Sequence, residues 1–579
     1  MKFFIILICF SKLFGDLIYP PNNHQINHIH VMFEWGKVNE TTSYEIELSN
    51  SSSFSNLLFN DSTSDTSIII QENINWQSTY YWRVKPSNGD YIDTFTFSTS
   101  NTSYQFSNDV NPVSIITNNL ESASEIVIYG IMSPFYSAAI DMNGNEIWNS
   151  GGVDTYMFSQ VKDNVFLGNA NLPPHFKGEL GVEFDMENGI TWEQPTYGDT
   201  DEFLQHEIIK LPNGNYIGFV IVYLDHFVPN SNDYPQIPEE WDFPFENDIP
   251  GFSDSFDYPW IWKSERIVEW DTDGNEVWSW NPFDHYDLNN FDYISGFWEK
   301  AASSNEPFDW THFNALAYDE IENCVYVSSK NLSRITKIDK ATGDVIWNVG
   351  VNWTGEDIIN FDWPPSENIN NSDMLNMPFS GQHGLEILDN GNLVFFDNGI
   401  LSGRFDGTNT YKSRAMEIKI NNQNNEHDVE IIWSYTLPTE LYGVISGNVQ
   451  KLNNGNYFIT TVGSTDGAHG IEVTPSKEIV WDCKFNVGTP QGAIYRAMKI
   501  KGLYNANMDL ECFELIGDMN DDSTWDVVDV VALANCILAT NCDDLENGCA
   551  GDMNENGRLN VIDVIVLINC ILNENCASL

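Results

Sequence analysis

The chain has 579 residues, with 84 acidic against 26 basic side chains and a formal net charge of −58 at pH 7. This length exceeds what one hydrophobic core usually organises, and it predicts about two to four domains. The strongly negative surface argues against nucleic acid or an anionic membrane as a partner and is typical of a saline environment.

Residues 1–16 begin with "MKFFIILICFSKLFG", in which one lysine precedes a short apolar run. The pattern predicts a secretory signal peptide, because the run is too short to cross a bilayer. No later stretch is apolar enough for a membrane span, so we expect a secreted, periplasmic or cell-surface protein. Eight cysteines follow the segment, and an even number in an exported chain favours disulfides.

Residues 17–100 alternate apolar and polar side chains in short runs such as "HVMFEWGKV" and "TSYEIELSN". Such runs, broken by Asn, Ser and Gly turns, predict the strands of a two-sheet sandwich. Trp35, Tyr44, Tyr81 and Trp82 are expected to fill its centre. The segment resembles a fibronectin type III domain, which implies a role as a spacer or docking surface.

Between residues 115 and 505 one unit recurs six times: a short strand, a turn and a strand that carries a tryptophan, as in "AIDMNGNEIW" and "KIDKATGDVIW". The six tryptophans are Trp148, Trp192, Trp278, Trp347, Trp433 and Trp481. A second hairpin lies between them, as in "LPNGNY", and Asn-Gly at its tip predicts a tight turn in which both central residues have positive φ. Two hairpins make a four-stranded blade. The region therefore predicts a mainly β protein with a six-bladed β-propeller, its tryptophans packed between blades.

Three of the inner strands are expected to begin with a histidine: His206 before "LPNGN", His312 in "DWTHFNALAYD" and His383 in "SGQHGLEILDNGN". Because inner strands line the channel of a propeller, these side chains are predicted to converge there, with Lys330 across the hairpin from His312. A single histidine on a strand is more often structural, and three histidines also suit zinc or iron. Against a metal, the sequence shows no carboxylate placed to orient each ring.

The segments that contain His312 and His383, "DWTHFNALAYDEIENCVYVSSK" and "SGQHGLEILDNGNLVFFDNG", resemble the two signature segments of the arylsulfotransferase family, which needs no nucleotide sulfate donor. The resemblance implies that His383 attacks the sulfur of an aryl sulfate and carries the sulfuryl group to a phenolic acceptor. It further implies that His312 and the residue at position 330 hold the sulfuryl oxygens. His206 would serve the phenol oxygen. The sequence departs from the family at one of these four positions, where Lys330 replaces an arginine.

The chemistry of sulfuryl transfer agrees with these residue types. Like phosphoryl transfer, it needs an in-line nucleophile and positive groups around the equatorial oxygens. Neutral imidazole is a competent nucleophile that leaves readily afterwards, and no organic cofactor is required. Lys330 keeps the positive charge but lacks the bidentate fork of arginine, which predicts lower activity or a shifted donor range.

Two near copies, "GDMNDDSTWDVVDVVALANCIL" and "GDMNENGRLNVIDVIVLINCIL", occupy residues 515–579. Each copy places oxygen ligands at the spacing of a calcium-binding loop, and an apolar helix is predicted to follow each loop. The predicted ligands are Asp518, Asn520, Asp522, Asp526, Asp529, Asp552, Asn554, Asn556, Asn560 and Asp563. The tandem resembles a type I dockerin, which implies structural calcium and a cohesin-like partner. Ser523 replaces the turn glycine of the first loop and predicts a weaker site, while Cys536 with Cys542 and Cys570 with Cys576 repeat one spacing that predicts a disulfide in each copy.

Two other functions stay open at this point. The propeller could bind ligands without turnover, displayed through the dockerin-like tail, and the arginine-to-lysine departure favours that reading. The tail alone also fits a polysaccharide-degrading enzyme. Such an enzyme needs a pair of carboxylates, and a chain this rich in acidic residues offers many candidates. The histidines give the second alternative no support, and fold alone does not choose among the three.

Overall fold

The computed structural model describes residues 16–579 apart from a set of gaps. The gaps are residues 39–40, 104–111, 120–124, 133–134, 154, 163–164, 171–179, 187–188, 196–205, 228–258, 293–294, 296, 305, 354–357, 360–377, 406–407, 409, 424–425, 487–493, 505–515, 521–523, 540–541, 543–547, 552, 554–558, 560, 574–575 and 577–579. All but the last residue of the predicted signal peptide therefore lie outside the described residues. In the part of the chain so described, no helix is long and apolar enough to cross a membrane.

Two sheets form the N-terminal unit. Its strands are β1 (Leu17–Tyr19), β2 (His24–Ile26), β3 (Val31–Trp35), β4 (Tyr44–Ser49), β5 (Leu57–Thr63), β6 (Ser67–Ile70), β7 (Thr79–Pro86) and β8 (Phe95–Thr99). One sheet has the order β1-β3-β6 and the other β2-β8-β7-β4-β5. Trp35, Tyr44 and Trp82 are buried as predicted, because alternate residues of β3, β4 and β7 face the other sheet. The same prediction is wrong for Tyr81, which is only half-buried because the alternation along β7 turns Tyr80 and Trp82 inward instead. The fibronectin type III assignment stays a prediction.

Six further sheets follow, each built mainly from consecutive antiparallel strands. Their elements are β9 (Val113–Asn118), β10 (Ile126–Met132), β11 (Phe135–Asp141), β12 (Glu146–Asn149), β13 (Thr155–Lys162), β14 (Val165–Ala170), β15 (Leu180–Asp185), β16 (Gly189–Glu193), β17 (Ile208–Lys210), β18 (Tyr216–Phe227), β19 (Pro259–Trp270), β20 (Glu276–Trp280), α1 (Pro282–His285), α2 (Phe297–Ser304), β21 (Phe308–Asp309), β22 (Phe313–Asp319), β23 (Cys324–Ser329), β24 (Arg334–Asp339), β25 (Val345–Gly350), β26 (His383–Ile387), β27 (Leu393–Asp397), α3 (Ser402–Phe405), β28 (Arg414–Gln423), β29 (Glu426–Thr436), β30 (Ile445–Lys451), β31 (Tyr457–Ser464), β32 (Gly467–Val473), β33 (Ile479–Phe485) and β34 (Ile494–Ile500).

The six sheets, numbered along the chain, differ at the two ends of this region. The second to fifth sheets have the orders β13-β14-β15-β16, β17-β18-β19-β20, β22-β23-β24-β25 and β26-β27-β28-β29, and β21 pairs with β19. The first sheet, β34-β10-β11-β12, takes its first strand from the C-terminal end of the region, and the sixth, β30-β31-β32-β33-β9, takes its last from the N-terminal end. Each sheet contacts the next, and β30 of the sixth contacts β34 of the first.

All six predicted tryptophans lie in the fourth strands of these sheets, and two of them stack on a tyrosine of the following sheet. Trp433 on β29 stacks on Tyr457 of β31 with 3.7 Å between ring centroids. Beside this pair, Glu417 of β28 accepts from the Tyr457 hydroxyl at 2.5 Å and pairs with Lys451 of β30 at 2.8 Å. An equivalent arrangement joins the second and third sheets, with Glu183, Trp192, Lys210 and Tyr216 in the corresponding places. The prediction that tryptophans pack between units is confirmed there.

The predicted Asn-Gly hairpins form, but their turns differ from the prediction. At the first, Gly214 N donates to Leu211 O at 2.9 Å and Leu211 N donates to Asn215 O at 2.8 Å. These bonds enclose three residues, and of them only Gly214 has positive φ. The loop needs left-handed backbone at one position, which glycine supplies without strain.

The N-terminal unit packs directly on the first sheet. Asn149 N of β12 donates to Asn27 O at 3.0 Å, and the Trp76 indole donates to Glu146 O at 2.9 Å. His28 Nε2 lies 3.1 Å from the Tyr19 hydroxyl and 2.9 Å from that of Tyr504. One buried apolar cluster runs through both parts, so the two units share a core.

Two helices, α4 (Val527–Ala539) and α5 (Val561–Asn573), follow the predicted loops near the C-terminus. They pack on each other through buried Leu533 and Leu567. The disulfides Cys536–Cys542 and Cys570–Cys576 are confirmed. Cys324 and Cys483, by contrast, are buried free thiols on strands of the fourth and sixth sheets, so the expectation of disulfides does not extend to them.

Candidate active site

The segment before β22 is held in place by the end of the hairpin β22–β23. Lys330 N donates to His312 O and Asn331 N donates to Thr311 O, both at 3.1 Å. The Asn331 side chain donates to Asp309 O at 2.6 Å. These hydrogen bonds fix the backbone at His312, and they place Lys330 directly beside His312.

The predicted position of two histidines is wrong in detail. His383 is the first residue of β26, but His312 comes just before β22 and His206 two residues before β17. Both have left-handed backbone, with φ of 50° at His312 and 74° at His206. That conformation costs roughly 1–2 kcal/mol for a residue with a Cβ. At both residues this conformation coincides with the contact between the two imidazoles.

His206 and His312 touch, and a carboxylate orients the second of them. Their Nε2 atoms are 3.1 Å apart. His312 Nδ1 lies 2.5 Å from Asp309 Oδ2, and Lys263 Nζ lies 3.5 Å from Asp309 Oδ1. The sequence interpretation that no carboxylate orients the rings is thus wrong for His312. Because both nitrogens of His312 have partners, its role toward sulfuryl oxygens stays a prediction.

A strand from the far end of the region completes the surroundings of His206. The Tyr495 ring of β34 stacks on His206 with 5.7 Å between centroids. Arg496 pairs with Glu207 at 2.7 Å and donates to the carbonyl of Asn314 at 3.1 Å. The last strand therefore ties the loop before β17 to β22.

His383 is buried and presents a single tautomer. Its Nδ1 lies 2.8 Å from Asn398 Oδ1 and 3.0 Å from Gly381 O. The amide nitrogen of Asn398 donates to the carbonyls of Gly443 at 2.8 Å and Ser446 at 3.0 Å, so its oxygen must face the imidazole. With two acceptors at Nδ1, that nitrogen carries the proton. The lone pair is therefore on Nε2.

Glycine and glutamine fix the neighbourhood of His383. Gly384 has φ of 65°, and a Cβ there would lie 2.6 Å from the Cβ of Asn448 on β30. Gln382 donates to the carbonyls of Ser329 at 3.1 Å and Arg334 at 2.9 Å. These contacts hold β26 tightly between β23–β24 and β30.

Lys330 is half-buried between polar and aromatic neighbours. Its Nζ donates to Asn331 Oδ1 at 3.1 Å and lies 5.1 Å from the centre of the Phe297 ring. Burial lowers its pKa, and the Asp309 carboxylate opposes that change. The cation thus stands next to the histidine pair, where the resemblance requires a positive group.

Burial disfavours the charged form of all three histidines. It lowers the pKa of His383 well below the ordinary value, and the charge of Lys330 lowers it further. Burial and the charge of His312 do the same at His206. At His312 burial also lowers the pKa, but Asp309 counters it. Burial alone would raise the pKa of Asp309, yet His312 and Lys263 hold it well below its usual range.

The four predicted residues thus come together in part by direct contact and in part through charge. His206 touches His312, and His383 interacts electrostatically with Lys330 and His312. Sequence reasoning missed Asp309 and Asn398, although both stand in the quoted segments: one three residues before His312, the other in "FFDNG". No sequence pattern around Tyr495 identifies it as a site residue, because it is brought to the site by the pairing of β34 with β10.

The predicted calcium ligands are only partly covered by the described residues. Asp522, Asp552, Asn554, Asn556 and Asn560 lie outside them, as does Ser523. Asp518, Asp529 and Asp563 are buried, and the Asp529 carboxylate accepts from Met519 N at 2.9 Å and Asp526 N at 2.8 Å. Burial, with the charges of Asp518 and Asp526, raises the pKa of Asp529. Buried oxygen donors of one charge fit a hard cation such as Ca²⁺. Within the described residues, no three His, Cys, Asp or Glu side chains are grouped to hold a metal.

Comparisons with known proteins bear on two parts of the chain. No curated protein matches it. The periplasmic gluconolactonase of Pseudomonas aeruginosa shares 8% identity, with 66% of this chain and 99% of that chain covered at a TM-score of 0.30. An auxiliary nutrient binding protein from Bacteroides ovatus also shares 8%, with 81% and 86% covered at a TM-score of 0.28. Likenesses this weak carry no argument.

Family models give a sharper result. The arylsulfotransferase (ASST) model matches residues 262–496, a span that holds His312, Lys330 and His383. The dockerin type I model matches residues 516–572, which hold the duplicated loops and helices. The first match supports an arylsulfotransferase-type function. The chain therefore carries an arylsulfotransferase (ASST) family domain followed by a type I dockerin domain.

Proposed function

We propose that the protein transfers a sulfuryl group from an aryl sulfate ester to a phenolic acceptor through a covalent intermediate on His383. The observation that carries this proposal is the fixed tautomer of His383, whose Nδ1 proton is committed to Asn398 and Gly381. Its Nε2 lone pair is left for attack on sulfur, and burial keeps the ring neutral.

In the donor half reaction, Nε2 of His383 attacks sulfur and the S–O bond to the leaving phenol breaks. Lys330 supplies positive charge to the sulfuryl oxygens. The resemblance assigns His312 to the same task, which it can perform only through its charge, because both of its ring nitrogens are hydrogen-bonded to other side chains. In the acceptor half reaction a second phenol attacks the sulfur and releases His383. One pocket serves both halves because donor and acceptor present the same aryl oxygen.

The six sheets support a six-bladed β-propeller as the scaffold. Each sheet contacts the next and the sixth contacts the first, as blades around one axis would. His206, His312 and His383 precede or begin the first strands of three successive sheets, the third, fourth and fifth. Inner strands of a propeller share one opening, which accounts for the convergence of residues so far apart in sequence.

Incubation with a chromogenic aryl sulfate tests the proposed function directly. Chromophore release that requires an added phenol, with sulfate recovered on that phenol, supports transfer. Release without acceptor points to a sulfatase, and no release with any donor points to a binding propeller without turnover.

The activity should persist at acidic pH. Because burial and Lys330 lower the pKa of His383, the ring is neutral at pH values where a histidine of ordinary pKa, about 6.5, is already half protonated. With an aryl sulfate whose leaving phenol is very acidic, we expect kcat/KM to stay flat through about pH 6.5 and to fall only well below it. A half-maximal point at or above that pH contradicts the assignment of a lowered pKa to the reacting group.

The C-terminal tandem supports attachment to a partner outside the cell. The ligand-bearing loops suit calcium, which would stabilise the fold there. Exposed apolar side chains occupy matching positions of α4 and α5, including Val527 and Leu538 in the first and Val561 and Leu572 in the second. Such a surface suits a protein partner, and the dockerin match suggests a cohesin. The two disulfides fit a secreted or cell-surface location.

Removing calcium should unfold the tandem but spare the rest of the chain. Burial, together with the charge of Asp518, raises the pKa of Asp529. The buried carboxylates therefore oppose folding when no cation balances their charge. Calorimetry of the full chain with and without a chelator should show one transition lost or lowered and the others retained. An unchanged profile contradicts a structural calcium role.

A further inference from the structure

We infer that Asp309, His312 and His206 form a proton relay whose open end is Nδ1 of His206, with Asp309 as the positioning residue. This inference rests on the proposed function and adds to it the atom that exchanges the proton with the phenol oxygen.

The contacts define an unbroken line of three side chains. Asp309 Oδ2 lies 2.5 Å from His312 Nδ1, and the Nε2 atoms of His312 and His206 are 3.1 Å apart. His206 Nδ1 is buried and has no hydrogen-bond partner within the described part of the chain. The line therefore ends on one ring nitrogen with an unused position. Both histidines adopt left-handed backbone in this arrangement, which neither would adopt without a compensating contact.

The proton positions follow from the chemistry of the partners. Asp309 is ionised and can only accept, so His312 Nδ1 carries a proton. In the neutral pair His312 Nε2 then has the lone pair, and His206 must donate to it from its own Nε2. The remaining nitrogen, Nδ1 of His206, is left with a lone pair and acts as a proton acceptor. With one more proton on the pair, the same atom becomes a donor.

The steps balance in both half reactions. When the acceptor phenol attacks sulfur, its O–H bond breaks and an N–H bond forms at His206 Nδ1, while the His206 Nε2 proton passes to His312 Nε2. The S–N bond to His383 breaks and its electron pair returns to Nε2. The positive charge rests on His312, beside the Asp309 carboxylate. The donor half starts with this extra proton on the pair. Nε2 of His383 forms the S–N bond as the S–O bond breaks, His206 Nδ1 gives its proton to the leaving phenol oxygen, and the His312 Nε2 proton returns to His206 Nε2.

Several charged groups set the proton affinity of the pair. Asp309 favours the protonated form, while Lys330, Lys263 and His383 oppose it. The other ionisable groups that border these are Glu265, the Glu207–Arg496 ion pair and the Tyr495 hydroxyl. Because Asp309 is the carboxylate that touches His312, its replacement should disturb the relay most.

The first test compares Asp309→Asn with a matched control, Asp466→Asn. Asp466 precedes His469 by three residues, as Asp309 precedes His312, and each carboxylate also pairs with a lysine. With aryl sulfates of graded leaving-group acidity, we expect Asp309→Asn to lower kcat/KM about 10- to 100-fold for weakly acidic phenols. For the most acidic phenols, which depart without a proton, it should stay within about threefold of wild type. Asp466→Asn should match wild type throughout. An equal loss for every phenol, or none for any, overturns the relay.

The second test reads the protons themselves and needs no activity. Ring ¹⁵N signals of histidine-labelled wild-type protein are assigned with His206→Asn and His312→Asn. In the neutral pair at neutral pH we expect the proton of His312 on Nδ1 and that of His206 on Nε2, whereas a protonated His312 beside a His206 with its proton on Nδ1 is the donor state of the relay and also supports it. A neutral His312 beside a neutral His206 with its proton on Nδ1 overturns the relay even if Asp309→Asn fails to fold. Wild-type protein that transfers no sulfuryl group overturns the proposed function instead. Wild-type turnover combined with the wrong tautomers overturns the relay alone.

Discussion

Replacing His383 by asparagine is expected to abolish transfer, by up to roughly a million-fold, the scale of losing a covalent nucleophile. Asparagine keeps a hydrogen-bonding side chain next to Asn398 but has no lone pair able to attack sulfur. Both half reactions should stop, since formation and breakdown of the intermediate use the same nitrogen. Donor consumption and acceptor sulfation, measured separately over time, should fall together.

A matched substitution and a trapping experiment separate chemistry from structure. His469 is also buried on a strand and hydrogen-bonded through Nδ1, to Asp482 at 2.8 Å, so His469→Asn should retain turnover. Mass spectrometry of wild-type protein, treated with donor in the absence of acceptor, should place the added sulfuryl group on His383. Turnover without any adduct, or an adduct on another residue, refutes the assignment and favours direct transfer between two bound phenols.

Lys330→Met should lower kcat/KM about 10- to 1000-fold, the range for removing one preorganised charged donor. Methionine retains length and packs against Phe297, but it brings no charge to the sulfuryl oxygens. Lys330→Arg should retain or raise activity, because the guanidinium restores two parallel donors. The two variants are assayed with the same chromogenic donor and a saturating phenol.

The outcome of the pair decides what Lys330 does. Lys484 pairs with Asp466 at 2.7 Å on the sixth sheet, and Lys484→Met controls for the general effect of removing a partly exposed lysine. If Lys330→Met were as active as wild type, the lysine would not contact the transferred group. A loss with arginine as large as that with methionine would indicate that space rather than charge matters at this position.

Local pattern predicted much of the architecture. The strands that carry Trp192 and Trp433 were located correctly because alternation of apolar residues between turn signals is a property of short segments. The helices α4 and α5 were predicted for the same reason, since the duplicated spacing of polar and apolar residues is visible in the sequence itself. The family matches at residues 262–496 and 516–572 confirm both resemblances.

The sequence predicted that His206 and His312 come together, but it did not predict how they are connected. Motif position identified His312, yet its left-handed backbone and its bond to Asp309 depend on the hairpin end at Lys330 and Asn331, which no periodicity describes. Tyr495 lies 181 residues beyond Asn314, to whose carbonyl its hydroxyl donates. Contacts at such separation arise from the packing of whole sheets, so sequence alone offers no signal for them.

The exchange of end strands between the first and sixth sheets has a consequence for when the protein becomes active. β34 is the last strand of the six sheets to be made, after His206, His312 and His383, yet it supplies the ring on which His206 stacks. A nascent chain that stops before residue 494 contains every proposed reacting group but lacks the Tyr495 ring that packs against His206. The proposed chemistry should therefore begin only once synthesis has passed this strand and β34 has paired with β10.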